Sequence, residues 1–156
     1  MDPQPTPSNK SLIPQLEDML DLYLVKKAPF QLPANVKEFI VKFGPWITLV
    51  LMLLALPIIL VALGLSAVLL PMVGAAAGVN TGIMATVSLL FAIAALVLEA
   101  IALPGLFKRS KVGWNFVFYS VLVTAVGDLI TFEIFGLIIS TLISLYILFQ
   151  IRSYYK

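Results

Sequence analysis

One carboxylate stands apart from every other ionisable group in this sequence. Glu99 lies inside the run Gly82–Leu103, where Thr86 and Ser88 are the other polar side chains. An ionisable group inside so long an apolar stretch is costly in lipid, and marks either an ion or proton path or a structural charge with a partner close by. The nearest candidate partners are Lys108, Arg109 and Lys111. Glu99 precedes Pro104 by five residues, which is about 7 Å at the helical rise. That depth favours a structural pairing with the basic loop, with an internal path as the competing reading. Asp128 is the second candidate charge. Its neighbours Gly127 and Thr131 place it at an outer turn, and Glu133 is expected at the interface.

Small and hydroxyl-bearing residues recur at a helical period. Gly136, Ser140 and Ser144 are each four apart, as are Ser120, Thr124 and Asp128. Such a stripe lets helices approach closely in lipid, and packing within one bundle is the expectation for both. Gly74, Gly78 and Gly82 repeat the period between the first two apolar runs. That segment reads as a loose loop, as a packing stripe or as a helical extension. The 156 residues contain no Cys and no His. Thiol nucleophiles, disulfides, zinc–imidazole sites and imidazole acid–base chemistry are therefore excluded. No paired-aspartate metal motif is present either. No catalytic residue, metal or cofactor is expected, and the chain is read as a non-enzyme.

The elements that position these groups follow from composition. The chain is 61% hydrophobic and 12% charged, against roughly 45–50% and about 25% in soluble domains. One small globule cannot hide so much apolar surface from water. Four runs are candidates to cross a membrane: Ile47–Leu70, Gly82–Leu103, Val112–Leu129 and Phe132–Ile151. A hydrocarbon core about 30 Å thick needs ~20 helical residues, so the first two are comfortable and the last two short. Unpaired backbone groups are not tolerated in lipid, which leaves helices as the spanning structure. The fold class is all-α: a polytopic membrane protein of four transmembrane helices preceded by amphipathic helices. The expected organisation is a disordered segment 1–10, amphipathic helices over 11–45, a bundle over 46–151 and a tail over 152–156. Pro57 falls midway through the first span, a weak signal on its own.

Charge gives the orientation. Lys10, Lys26, Lys27, Lys37 and Lys42 precede the first span; Lys108, Arg109 and Lys111 join the second and third; Arg152 and Lys156 follow the fourth. The connections 71–81 and 127–131 carry no basic residue. The positive-inside rule then places both termini in the cytoplasm. Trp46, Trp114, Phe116, Tyr119, Tyr154 and Tyr155 are expected as an aromatic belt at that interface. The polar start of the sequence has no h-region, so the first span is expected to be a retained signal-anchor. A net charge of +2 is too small to imply nucleic acid.

Ahead of the spans, Leu12, Leu16, Met19, Leu20, Tyr23 and Leu24 recur at helical spacing, with Glu17, Asp18 and Asp21 opposite them. This helix reads equally as a docking or self-association element and as a membrane-lying cover over the bundle. A second stretch sets Val36, Phe39, Ile40 and Phe43 against Lys37, Glu38 and Lys42. It reads as an interfacial anchor that ends at Gly44-Pro45.

The segments Tyr23–Phe30, Val36–Trp46 and Leu98–Arg109, and above all the tail Leu142–Lys156, resemble a family of short membrane proteins from small-genome bacteria of the candidate phyla radiation. Some members of that family carry a chromate transporter label. The resemblance covers nearly the whole chain and implies a four-span protein of the bacterial cytoplasmic membrane, with Glu99-to-Pro104 as a family motif. It supplies no catalytic or binding residues. The functional expectation is a non-enzymatic membrane component that organises a complex through its acidic head. The alternative is a homo-oligomeric channel or small-solute transporter with Glu99 facing an internal path. The expected partners are the lipid bilayer and a second copy or another membrane protein.

Overall fold

Long apolar runs satisfy their backbone groups most simply by coiling, and the computed structural model is helical almost throughout. It describes residues 12–28 and 30–156, so the expected disorder of 1–10 lies outside the described residues. The elements are α1 (Leu12–Asp21), a π-helical turn (Leu22–Lys26), α2 (Ala34–Ala77), α3 (Val79–Phe107), α4 (Lys111–Ile130), α5 (Ile134–Gln150) and a 3-10 turn (Arg152–Tyr154). Three helices are long and apolar enough to cross a membrane: α2 over Ala34–Gly64, α3 and α4. α5 is apolar but shorter, at 17 residues.

Two boundaries differ from the sequence reading. No break occurs at Gly44-Pro45, because α2 runs on through Pro45, Pro57 and Pro71. The stretch read as a separate interfacial helix is its first turns. Each proline removes one backbone hydrogen bond, a loss that neighbouring helices and local adjustment offset in an apolar setting. Between the first two runs helix replaces the loop, and the added turns belong mainly to the first run rather than, as a two-turn extension would have it, to the second. α2 continues to Ala77, α3 begins at Val79, and the reversal is confined to Gly78. Its φ of 93° lies in the region that glycine enters without steric cost.

The two later reversals share one geometry. After α3, the N–H of Ser110 donates to Gly105 O at 2.8 Å and that of Arg109 to Leu106 O at 3.1 Å. After α4, Glu133 donates to Asp128 O at 2.8 Å and Phe132 to Leu129 O at 3.4 Å. Both are Schellman motifs, which place one residue in the left-handed region. Here those residues are Arg109 (φ 51°) and Phe132 (φ 59°), not glycine. Phe132 is 77% exposed. Phe132→Gly is therefore expected to stabilise the fold by about 1 kcal/mol, the cost of a side chain in that region. A rise in the midpoint of thermal unfolding in detergent is the check; an unchanged or lower midpoint would contradict it.

α3 packs most extensively on α4, then on α2, and α4 packs on α5. The α3–α4 contact is backbone on backbone at one point. A Cβ on Gly113 would stand 2.5 Å from Gly105 C and Leu106 N. Farther along, a Cβ on Gly127 would stand 2.8 Å from the Phe91 Cβ. Each helix runs fourteen residues between these two points, about 21 Å at the helical rise. They fix an antiparallel register in which Glu99 of α3 comes level with the Tyr119–Ser120 turn of α4.

The main core gathers at the end of the bundle where the basic residues are. Trp114, Phe118 and Phe149 are buried there with Val41, Ala102 and Leu148. The Trp114 and Phe118 rings stack at 5.6 Å, and the Trp114 indole donates to Leu148 O at 2.9 Å. The expected aromatic belt is largely this core. Trp114 and Tyr155 are buried, and Phe116, Tyr119 and Tyr154 pack against them. Trp46 is 58% exposed, its ring edge-on to Phe107 at 5.2 Å.

The head folds back on the same end. Leu20, Leu24 and Val25 pack on the core, Gln150 Nε2 donates to Leu24 O at 2.9 Å, and the Tyr146 hydroxyl donates to Phe30 O. Arg152 pairs with Glu17 at 2.7 Å and with Asp21 at 3.6 Å. Glu17 and Asp21 are thus turned toward the protein, and Leu12, Leu16, Asp18, Met19 and Tyr23 are left exposed. The cause is Arg152, whose guanidinium lies over the Trp114 and Phe149 rings at 5.2 and 5.5 Å and attracts these carboxylates.

Candidate functional site

Glu99 lies deeper than the sequence estimate. α3 does not stop at Pro104 but continues to Phe107. Glu99 is therefore eight residues inside the helix end, about 12 Å at the helical rise. The basic loop does not meet it. Arg109 pairs with Glu38 at 2.7 Å, Lys111 lies 4.8 Å from the centre of the Trp114 ring, and Lys108 is exposed. The grouping of Lys108, Arg109 and Lys111 around Glu99 is thus replaced. The observed partner of Glu99 is Ser120, as the α3–α4 register requires.

Glu99 and Ser120 open onto a cavity of 210 Å³ shared by three helices, with Thr124 of α4 and Ser140, Thr141 and Ser144 of α5 on its walls. Four residues of the two stripes, Ser120, Thr124, Ser140 and Ser144, line this cavity. Ser140 and Thr124 are exposed, and neither is wedged between helices. Gly136 continues the α5 stripe beyond the cavity and faces Asp128, the end of the α4 stripe. Its nearest non-neighbour atoms are carboxylate oxygens of Asp128 and Glu133, at 3.5 and 3.9 Å from a built Cβ.

Hydroxyls line the cavity around the one carboxyl. Ser120 Oγ donates to Val117 O at 2.8 Å, and Thr124 Oγ1 to Ser120 O at 3.1 Å. A hydroxyl carries one hydrogen and two lone pairs. Thr124 directs its hydrogen to the α4 backbone and keeps its lone pairs for the cavity. The Ser120 hydroxyl stands between Val117 O and the Glu99 carboxyl, can donate to either, and keeps its lone pairs as acceptors. Among the described residues no three acidic side chains come together. The formal charge of the cavity is that of a single carboxyl, which matches a monovalent cation or a proton.

Two neighbouring cavities extend this one. Toward the far end, a cavity of 110 Å³ shares Thr124 and reaches Ser88, Asp128 and Glu133. Asp128 is seventeen residues from the start of α4, about 26 Å. Toward the basic end, a cleft of 460 Å³ shares Glu99, Ser120 and Ser144 and reaches Tyr155. Burial pushes the Tyr155 phenol above its ordinary value, with the Arg109 guanidinium opposing. Polar side chains on α3, α4 and α5 thus form a line through most of the bundle's depth, passing Glu99 and ending at Asp128.

Sequence reasoning names Glu99 as a lone charge and the sets Ser120, Thr124, Asp128 and Gly136, Ser140, Ser144 as two stripes, and the fold brings all but Asp128 and Gly136 to one cavity. Thr141 was missed, being off the four-residue period. Gly105 and Gly113, which set the register, were also missed. Their signal is their placement, each four residues from Arg109 at the turn. Comparison with protein-family models, curated proteins and solved structures finds no match to this chain.

Proposed function

We propose that this chain is a four-span protein of the bacterial cytoplasmic membrane, with both termini in the cytoplasm, that binds a monovalent cation or a proton at Glu99 and moves it across the bilayer as a homo-oligomer. The observation that carries the reading is the cavity of 210 Å³ where Glu99 meets hydroxyls of α4 and α5 while Arg109 is held by Glu38. An intramembrane carboxyl facing polar groups inside a bundle is the arrangement found along ion and proton paths. The exposed Thr124 and Ser140 favour self-association, since hydroxyls at that depth gain partners from a second copy.

For the organising role, the head offers its exposed apolar face of Leu12, Leu16, Met19 and Tyr23, while Glu17 and Asp21 pair with Arg152. Chromate transport is disfavoured by chemistry. An oxyanion needs cationic groups or converging helix N-termini near mid-depth, and the ionisable group lining the cavity is a carboxyl.

The test is flux in vesicles reconstituted with the full chain. The wild type is expected to dissipate an imposed proton or sodium gradient. Glu99→Gln, which keeps the side-chain shape, is expected to fall to the rate of protein-free vesicles with its thermal midpoint unchanged. Absence of flux in the wild type, or equal flux in both proteins, would overturn the reading.

A further inference from the structure

α2 and α5 are not extensively packed against each other, and the cleft of 460 Å³ separates them. The cleft runs from Tyr155 to Glu99, with apolar side chains of both helices as its walls, Leu51 and Ile147 among them. A bare metal ion or a proton gains nothing from such walls. An organic ligand does, and the volume falls within the roughly 300–1,000 Å³ of small-molecule sites. The charge at the inner end is equally specific. The carboxyl of Glu99 is the ionisable group there, and the guanidinium groups of Arg109 and Arg152 are held by Glu38 and by Glu17 and Asp21. Ser120, a hydroxyl within reach of both Val117 O and the carboxyl, adds no positive charge.

We propose that this cleft binds an amphiphilic organic monocation, its apolar body between α2 and α5 and its charge against Glu99. The proposal rests on the reading of Glu99 as a cation site and names the class of ligand that site takes.

Tetraphenylphosphonium and tetraphenylborate have nearly the same shape and opposite charge. Binding of each to the purified full chain in detergent micelles, corrected for protein-free micelles, separates charge from apolar contact. The wild type is expected to bind the cation at least tenfold more tightly than the anion. Glu99→Gln is expected to weaken cation binding at least tenfold. Thr48→Phe, which adds bulk to the α2 wall, is expected to do the same with the carboxyl intact. Ile138→Trp, on the exposed face of α5, is expected to leave affinity unchanged. Equal affinity for the two ions, or a Glu99→Gln affinity equal to that of the wild type, would mean an apolar cleft open to any acyl chain and would overturn the proposal. So would absence of tetraphenylphosphonium binding to the wild type. If that absence accompanies Glu99-dependent proton or sodium flux, the proposal falls and the cation site stands. Cation binding that depends on Glu99, without flux of either small ion, would overturn transport of those ions and support the organic ligand.

Discussion

Gly113→Val is expected to yield no folded protein. The α3–α4 crossing brings Gly113 against the backbone of Gly105 and Leu106, and even an alanine Cβ would stand 2.5 Å from two backbone atoms. Overpacking against side chains costs typically about 1–3 kcal/mol because rotamers yield. Backbone in a helical turn does not yield, so the helices have to separate. Separation would open the core that Ala102 and Leu106 of α3 share with Trp114 and Phe118 of α4 and take Glu99 from Ser120, since both depend on the same register. Gly113→Ala should already lower the thermal midpoint sharply, and Gly113→Val should abolish a monodisperse species in detergent. Gly64→Ala is the matched control, because nothing lies within 4 Å of a Cβ built there. Equal midpoints for Gly113→Ala and Gly64→Ala would show that the crossing is looser than described.

Trp114→Ala is expected to cost about 3–5 kcal/mol, the range for removing a large buried aromatic side chain. Trp114 is fully buried, stacked on Phe118 and edge-on to Phe149. Its indole N–H also reaches Leu148 O, one of the last carbonyls of α5 and among those without an intrahelical partner. The ring therefore joins α4 to α5 and caps α5 in the same contact. Trp114→Phe separates the two contributions. It keeps an aromatic in the cluster and leaves the Leu148 carbonyl unpaired, for an expected loss of about 1–3 kcal/mol. Denaturant or thermal unfolding in detergent reads both variants. A loss below about 1 kcal/mol for Trp114→Ala would contradict the assignment of this ring to the core.

The depth of Glu99 was misjudged for a local reason. A proline after an apolar run reads as a helix end, and Pro104 was taken as the level of the interface. α3 instead continues to Phe107, because the close approach of Gly105 to Gly113 holds that last turn against α4. The added turn takes Glu99 away from Lys108, Arg109 and Lys111, and the register hands it to Ser120. The four-residue stripes were legible as stripes, but their use was not. Small residues at that period serve equally for contact and for a cavity, and only the placement of α5 decides between them.

Composition alone determined that the chain forms long apolar helices, and the distribution of Lys and Arg determined which ends of those helices belong together. Both are averages over many residues, and one misplaced boundary does not disturb them. Charge isolation alone singled out Glu99, since no other carboxylate sits so far inside an apolar run. The tertiary structure decided what that carboxyl faces. It joined Glu99 to hydroxyls from two other helices, matched Arg109 to Glu38 and Arg152 to Glu17, and moved Trp114 from an expected belt into the core. Each of these contacts joins residues from separate elements, as Glu38 to Arg109, seventy-one residues apart, shows. Such pairings depend on the rotation of each helix about its axis, which close packing at Gly105, Gly113 and Gly127 sets and which no local pattern along the chain encodes.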